Sequence, residues 1–494
     1  MARILFLSTL VVALLLPAGQ LLAQDSELTV KDLHKLLNNQ QKLLEKQGTE
    51  LDSQKQQLAD QRQLLQSFQD RLDQLAQPST AAPAVLAASD TPTPSKQELA
   101  LQERVSKLEE ELQKPPDAPA DVLRAGDFPG SIRLPGSNMA AKVGGFVRLG
   151  FVDSIEPIAS DDRFIVGSIP VEDGDEGKQG TTLSAKRSRV NLDMRMDSSV
   201  GQFRAFIEGD FAGDGGTENY RLRHAYGQYK HFLVGQTWTT FEDVDAQPED
   251  VDFEGLSSTI QLRQPQVRWV KLMKNQKTLK VSLEDPQTSV PNAESASIFP
   301  DTIATIHRKR KWGHTQFGLL LRQLAAVPDG QELDEKSSAF GWGLSFSGNV
   351  TTQRFDKRDH LDFQVNFGKG IGRYINDLGT IGGQDAVFDP ETGNLEALFA
   401  YGGFLAYQHW WLSPDSRWLR NLRSTFVLSL VEVDNHDFQP GSAYKRTIRN
   451  SYNLIWSPIN EIDLGIEFIW GQRVNQNNNK GRSAQLQFVS TFRF

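Results

Sequence analysis

The 494-residue sequence has no cysteine, which excludes disulfides, thiol catalysis and cysteine-based zinc sites. It also lacks a basic excess: the formal net charge is −9, which argues against nucleic-acid binding. Beyond the first two dozen residues no apolar run approaches the roughly 18 residues that a spanning helix needs. With 38% hydrophobic residues and a mean hydropathy of −0.43, the chain is no helical membrane protein. A barrel is compatible with those values, because its lumen-facing positions are polar. HExxH, Walker A and GxSxG sequences are absent, and Gly368-Lys369-Gly370-Ile371-Gly372 lacks the spacing of a dinucleotide fingerprint and reads as a flexible strand exit. No cofactor, metal site or enzymatic activity is therefore expected. His224, His307 and His409 are scattered and read as structural or interfacial.

What is present begins with an export signal. Arg3, the apolar stretch Ile4 to Leu16 and the boundary Leu21-Leu22-Ala23 predict cleavage after Ala23 (signal peptide 1–23). A coiled-coil stalk is expected over 25–77. Val30, Leu37, Leu44, Leu51, Leu58, Leu65 and Leu72 form one heptad column; Leu33, Gln40, Gln47, Gln54, Gln61, Phe68 and Leu75 form the other. Residues 78–94, rich in Pro and Ala, read as a linker. A second short helix over 95–114 opens with the capping pair Ser95 and Glu98 and ends at Pro115-Pro116. Residues 115–140 lead into the next domain.

From 141 to 494 the period falls to two. Phe203, Ala205, Ile207 and Phe211 alternate with polar or small residues, as do Phe340, Trp342, Leu344 and Phe346, and Ile462, Leu464, Ile466, Phe468 and Trp470. Segments of this kind number roughly 16, each about as long as a tilted membrane strand. Short and long connections alternate between them, which predicts an all-β transmembrane antiparallel barrel. Trp410, Trp411, Trp418 and Trp456 fall at expected strand ends, where an aromatic girdle would lie. In the last stretch Leu486, Phe488, Phe492 and Phe494 share one face, and a last strand needs a first strand to close against.

Charge is concentrated in two places. Over Lys186 to Asp197 the alternation puts Arg187, Arg189, Asn191, Asp193 and Arg195 on one face and Val190, Leu192, Met194 and Met196 on the other. Arg204, Glu208 and Asp210 continue this wall on the next strand, and Arg221 and Arg223 on the one after. With the apolar face toward lipid, these groups line an aqueous lumen, where they either form a cationic ladder or pair among themselves. The second concentration is the loop Thr237 to Ser258, with Glu242, Asp243, Asp245, Glu249, Asp250, Asp252 and Glu254. The arginine wall offers it countercharge, so it is expected to fold inward as a constriction. Its Asp250 to Gly255 segment resembles half of a calcium loop, but Gln261 stands where a bidentate Glu belongs.

Several stretches resemble the DcaP-like family of outer-membrane porins: Gly130-Ser131-Ile132-Arg133-Leu134-Pro135-Gly136, Gly144-Gly145-Phe146-Val147, Arg221-Leu222-Arg223-His224-Ala225-Tyr226, Gly235-Gln236-Thr237-Trp238 and Arg263-Gln264-Pro265-Gln266. The resemblance implies trimers of 16-stranded barrels in the bacterial outer membrane, with the stalk in the periplasm and small anionic solutes such as dicarboxylates as cargo. The closing strand with Phe492 and Phe494 is similar to the insertion signal that the barrel-assembly machinery reads. Another reading is a structural tether, whose coiled coil links the outer membrane to periplasmic or cell-wall components.

Overall fold

The structure is a computed structural model that describes residues 124–494 apart from 173–176, 214–218, 353–355, 383–384 and 412–420. The signal peptide, stalk, linker and second helix expected from the sequence lie outside the described residues, as does Trp418. Among the described residues, sixteen antiparallel staves form a closed barrel. In chain order they are β1 (Met139–Ile158), β2 in two pieces (Lys178–Ser184 and Arg189–Ser198), β3 (Gly201–Gly213), β4 (Asn219–Tyr229), β5 (Phe232–Trp238), β6 (Arg263–Met273), β7 (Lys277–Glu284) and β8 (Asp301–Arg310). They continue as β9 (Gly313–Pro328), β10 (Ser337–Thr351), β11 (His360–Lys369), β12 (Phe399–Trp410), β13 (Leu422–Asp434), β14 (Tyr444–Ile459), β15 (Ile462–Asn475) and β16 (Lys480–Arg493).

Each stave pairs with its sequence neighbours, and β16 returns to β1 in a register running from Gln485 opposite Ser154 to Arg493 opposite Phe146. Closure leaves no free edge, so every strand finds its backbone partners within the wall. The alternation is inside out. Phe346 is 49% exposed, whereas Ser345 and Ser347 on either side of it are 4% and 1% exposed. Val190, Ile207, Phe317, Leu405, Phe468 and Phe488 likewise stand on the outer surface. Such a surface is stable against lipid and not against water.

Gly145 sits at the seam. Its N–H donates to the carbonyl of Phe494 at 3.3 Å, and its own carbonyl accepts the Phe494 N–H at 3.1 Å. Its φ of +151° disfavours other residues, and a Cβ there would lie 2.2 Å from the Arg189 carbonyl oxygen and 3.2 Å from the Phe494 ring. Gly145→Ala is therefore expected to lower the yield of heat-modifiable, folded barrel. An undiminished yield would show that the seam tolerates a side chain.

Among the connections that turn into the barrel, two pack against each other. Residues 239–262, between β5 and β6, are braced by residues 370–381, between β11 and β12, which include a short helix, Asn376–Thr380. The two segments exchange backbone hydrogen bonds: Gln261 to Tyr374 at 3.0 Å, Asn376 to Thr259 at 2.9 Å and Asp377 to Ser257 at 3.0 Å. Phe241, Ile260, Ile371, Tyr374, Ile375 and Leu378 bury their side chains with Ile303, Leu320, Val431 and Tyr444 of the wall. The inward segment thus has an apolar core of its own, which fixes where its polar residues point.

Candidate functional site

The wall of β2, β3 and β4 carries the charged ladder. Arg189, Asn191, Asp193 and Arg195 share the inner face of the second piece of β2, and cross-strand register sets Arg189 opposite Asp210 and Arg195 opposite Arg204. Arg187 departs from the alternation. It lies in the turn between the two pieces of β2, is buried, and reaches Asp162 at 2.7 Å. The strand breaks there because its first piece follows the upper half of β1 and its second piece the lower half.

Carboxylates divide this wall into pairs. Asp193 takes Arg195 and Arg204, each at 2.9 Å. Glu208 takes Arg189 at 3.5 Å and Arg223 at 3.6 Å, and Asp210 takes Arg221 at 2.8 Å and Arg223 at 2.9 Å. A β-bulge shapes β4: His224 pairs with Glu208 and Leu222 with Gly209, so Arg223 is the extra residue. Arg223 and the following His224 are consequently both buried on the inner side, where His224 Nδ1 meets the Thr237 hydroxyl at 3.0 Å.

The acidic segment lies inside the barrel, yet Asp243, Glu249, Asp252 and Glu254 engage groups away from the ladder. Asp243 meets His314 at 3.0 Å and accepts from the Ser347 hydroxyl at 2.6 Å. Glu249 pairs with Arg423. Asp252 meets Arg449 at 3.2 Å and accepts from the Phe164 N–H at 3.2 Å and the Gln487 amide at 3.0 Å. Glu254 pairs with Arg163 at 2.9 Å. Asp252 and Glu254 are thus occupied by protein donors. What meets the ladder is an aromatic ring. Phe253 lies 3.9 Å from the Arg187 guanidinium carbon, 5.4 Å from that of Arg223, 5.7 Å from that of Arg189 and 5.9 Å from that of Arg221. Four guanidiniums share one π face system, a contact favourable to cations and neutral in charge.

Between Phe253 and the wall runs a cavity of about 570 Å³. Arg163, Arg189, Arg221, Arg223, Arg263 and Arg373 line it, against one carboxylate, Glu254. Arg263 stacks at 4.4 Å on Trp238 and makes no ion pair among the described residues. Arg373 donates to the carbonyls of Asp285 and Gln287 at 3.1 and 2.9 Å and lies 4.0 Å from the buried Asp301 carboxylate, which also takes Arg322 at 3.3 Å. Burial pushes the Glu254 carboxyl up, and pushes Glu242, whose Oε2 has no hydrogen-bond partner among the described residues, well above the usual carboxylate range.

Arg163, Arg263, Arg373 and Phe253 are absent from the sequence-based site. Arg163 and Arg373 come from connections whose path alternation does not give, and Arg263 opens a strand after the inward segment. Arg263 and Trp238 do fall within the quoted family stretches, the one signal that could have placed them.

Comparison with known proteins agrees with this architecture. Residues 141–494 match the DcaP outer membrane protein family. The outer membrane channel DcaP of Acinetobacter baumannii is 22% identical, with a TM-score of 0.63 over 72% of this chain and 98% of that one. An anion-selective porin from Comamonas acidovorans is 10% identical, with a TM-score of 0.44 over 72% of this chain and 100% of that one. Comparison with curated proteins returned no match. A closed sixteen-stranded barrel with an inverted polarity, and a family match that spans all but the first 140 residues, lead to one assignment: the chain belongs to the DcaP family of outer membrane proteins.

Proposed function

We propose that the barrel is a passive diffusion channel for small hydrophilic anions, dicarboxylates among them, and that Arg189, Arg221, Arg223 and Arg263 form its selective face. The observation that carries this reading is the arginine surplus of the cavity beside Phe253. Guanidiniums remain charged and present planar pairs of donors to a carboxylate. In a narrow lumen their field is screened less than on an open surface, so anions concentrate there. Residues 239–262 act as the constriction, with their acidic groups turned to other partners. The channel sits in the outer membrane as a homotrimer, is inserted by the barrel-assembly machinery and carries its N-terminal stalk on the periplasmic side.

Liposomes containing the purified protein should swell rapidly in an isosmotic dicarboxylate such as succinate, and more slowly with an organic cation of similar size. No swelling with either solute would mean a closed barrel, as in a tether, and would contradict the proposal.

A further inference from the structure

Inside the barrel, at the start of the inward segment, Asp243 meets two histidines that the arginine-lined cavity does not use. His307 stands on β8 and His314 on β9, on either side of the tight turn Lys311–Trp312. Their rings stack with centroids 4.7 Å apart and planes 25° from parallel. His314 Nε2 lies 3.0 Å from Oδ2 of Asp243, and the donor atoms that Asp243, His307 and His314 can offer all lie within 4.8 Å of one another. Two residues further on, Asp245 brings Oδ2 to 3.6 Å from Nε2 of His307. That Nε2 is shielded from water and has no hydrogen-bond partner among the described residues. A buried ring nitrogen without a partner costs free energy unless something binds it.

We infer that Asp243, His307 and His314 hold a divalent transition ion, with Asp245 as the fourth ligand. Imidazole nitrogen with carboxylate oxygen is the donor set of zinc and its neighbours, whereas calcium and magnesium take oxygen. A tetrahedral centre with bonds of about 2.1 Å sets its donors about 3.4 Å apart. The separations of 3.0 and 3.6 Å already found here bracket that figure. The remaining closure lies within side-chain rotation, and Asp245, with 67% of its side chain exposed, is free to swing. The Ser347 hydroxyl, donating to Asp243 at 2.6 Å, orients the carboxylate in the way outer-shell partners do. Lys280 on β7 is the cation whose field reaches His307, and the two carboxylates outnumber it. The ion would fasten the start of the inward segment to two wall strands.

The test uses the tag-free full chain in detergent, titrated with Zn²⁺ by calorimetry and with Co²⁺ by visible absorption. One Zn²⁺ per chain and the intense bands of tetrahedral Co²⁺ are expected. His307→Ala removes a ligand but no hydrogen bond, so it should abolish the bands and weaken Zn²⁺ binding at least about tenfold. His307→Gln keeps the side-chain volume and should give the same result if the alanine variant fails to assemble. Absence of the bands in the unaltered protein, or wild-type Zn²⁺ affinity in a folded His307 variant, would overturn the inference.

Discussion

Replacing Arg221 and Arg263 together by alanine is expected to turn the channel toward cations and to slow succinate uptake, with the barrel intact. Arg263 has no carboxylate partner among the described residues, and Arg221 shares Asp210 with Arg223, which keeps that carboxylate paired when Arg221 is lost. A unit charge about 4 Å from a passing ion contributes about 1 kcal/mol even in water-like surroundings, and more in a lumen. Two such charges should therefore shift the anion-to-cation permeability ratio by at least about tenfold. Alternation in the sequence singles out Arg187 and Arg189 for this role; Arg189 does line the cavity, whereas Arg187 sits in the turn between the two pieces of β2, held by Asp162 at 2.7 Å. An unchanged reversal potential in the double variant would mean that the arginines serve only as wall structure.

Arg449→Ala should release the inward segment. The Arg449 guanidinium on β14 is fully buried between Asp252 at 3.2 Å and Glu467 at 3.7 Å, and it also donates to the Gly255 carbonyl. Glu467 in turn accepts the backbone N–H groups of Val251 and Asp252 at 2.6 and 2.8 Å. Removing the cation leaves two carboxylates buried without their main countercharge, a loss of about 3–5 kcal/mol in comparable buried pairs. That exceeds what the remaining hydrogen bonds of one loop turn restore, at about 1 kcal/mol each. Single-channel conductance should rise and the segment should become a protease target. Wild-type conductance together with protease resistance would show that the apolar contacts of Phe241 and Ile260 hold the segment unaided.

The barrel was legible in the sequence because period-two alternation over long segments has few other meanings, and the charged faces of β2 and β3 follow from the same parity. Parity fails where the backbone departs from regular strand. The bulge at Arg223 turns two successive residues inward, so His224 joins a face that counting by twos assigns to Leu222. The break between Ser184 and Arg189 takes Arg187 out of the strand. The composition of Thr237 to Ser258 predicts an acidic loop drawn to the arginine ladder, yet the segment presents Phe253 there and gives carboxylates to Arg163, Arg423, Arg449 and His314. Those partners lie 71 to 197 positions away in sequence, His314, Arg423 and Arg449 on distant staves and Arg163 in the connection between β1 and β2. The brace at residues 370–381 is hidden for the same reason: Gly368 to Gly372 reads as a strand exit, and Tyr374, Ile375 and Leu378 gain a role only when Ile260 and Phe241 cover them.

The most direct test is the reversal potential of the unaltered channel in a planar bilayer across a potassium chloride gradient. The arginine-lined cavity predicts a potential whose sign reports chloride as the more permeant ion, growing as the gradient is steepened. A potential of the opposite sign, reporting potassium as the more permeant ion, would contradict the account.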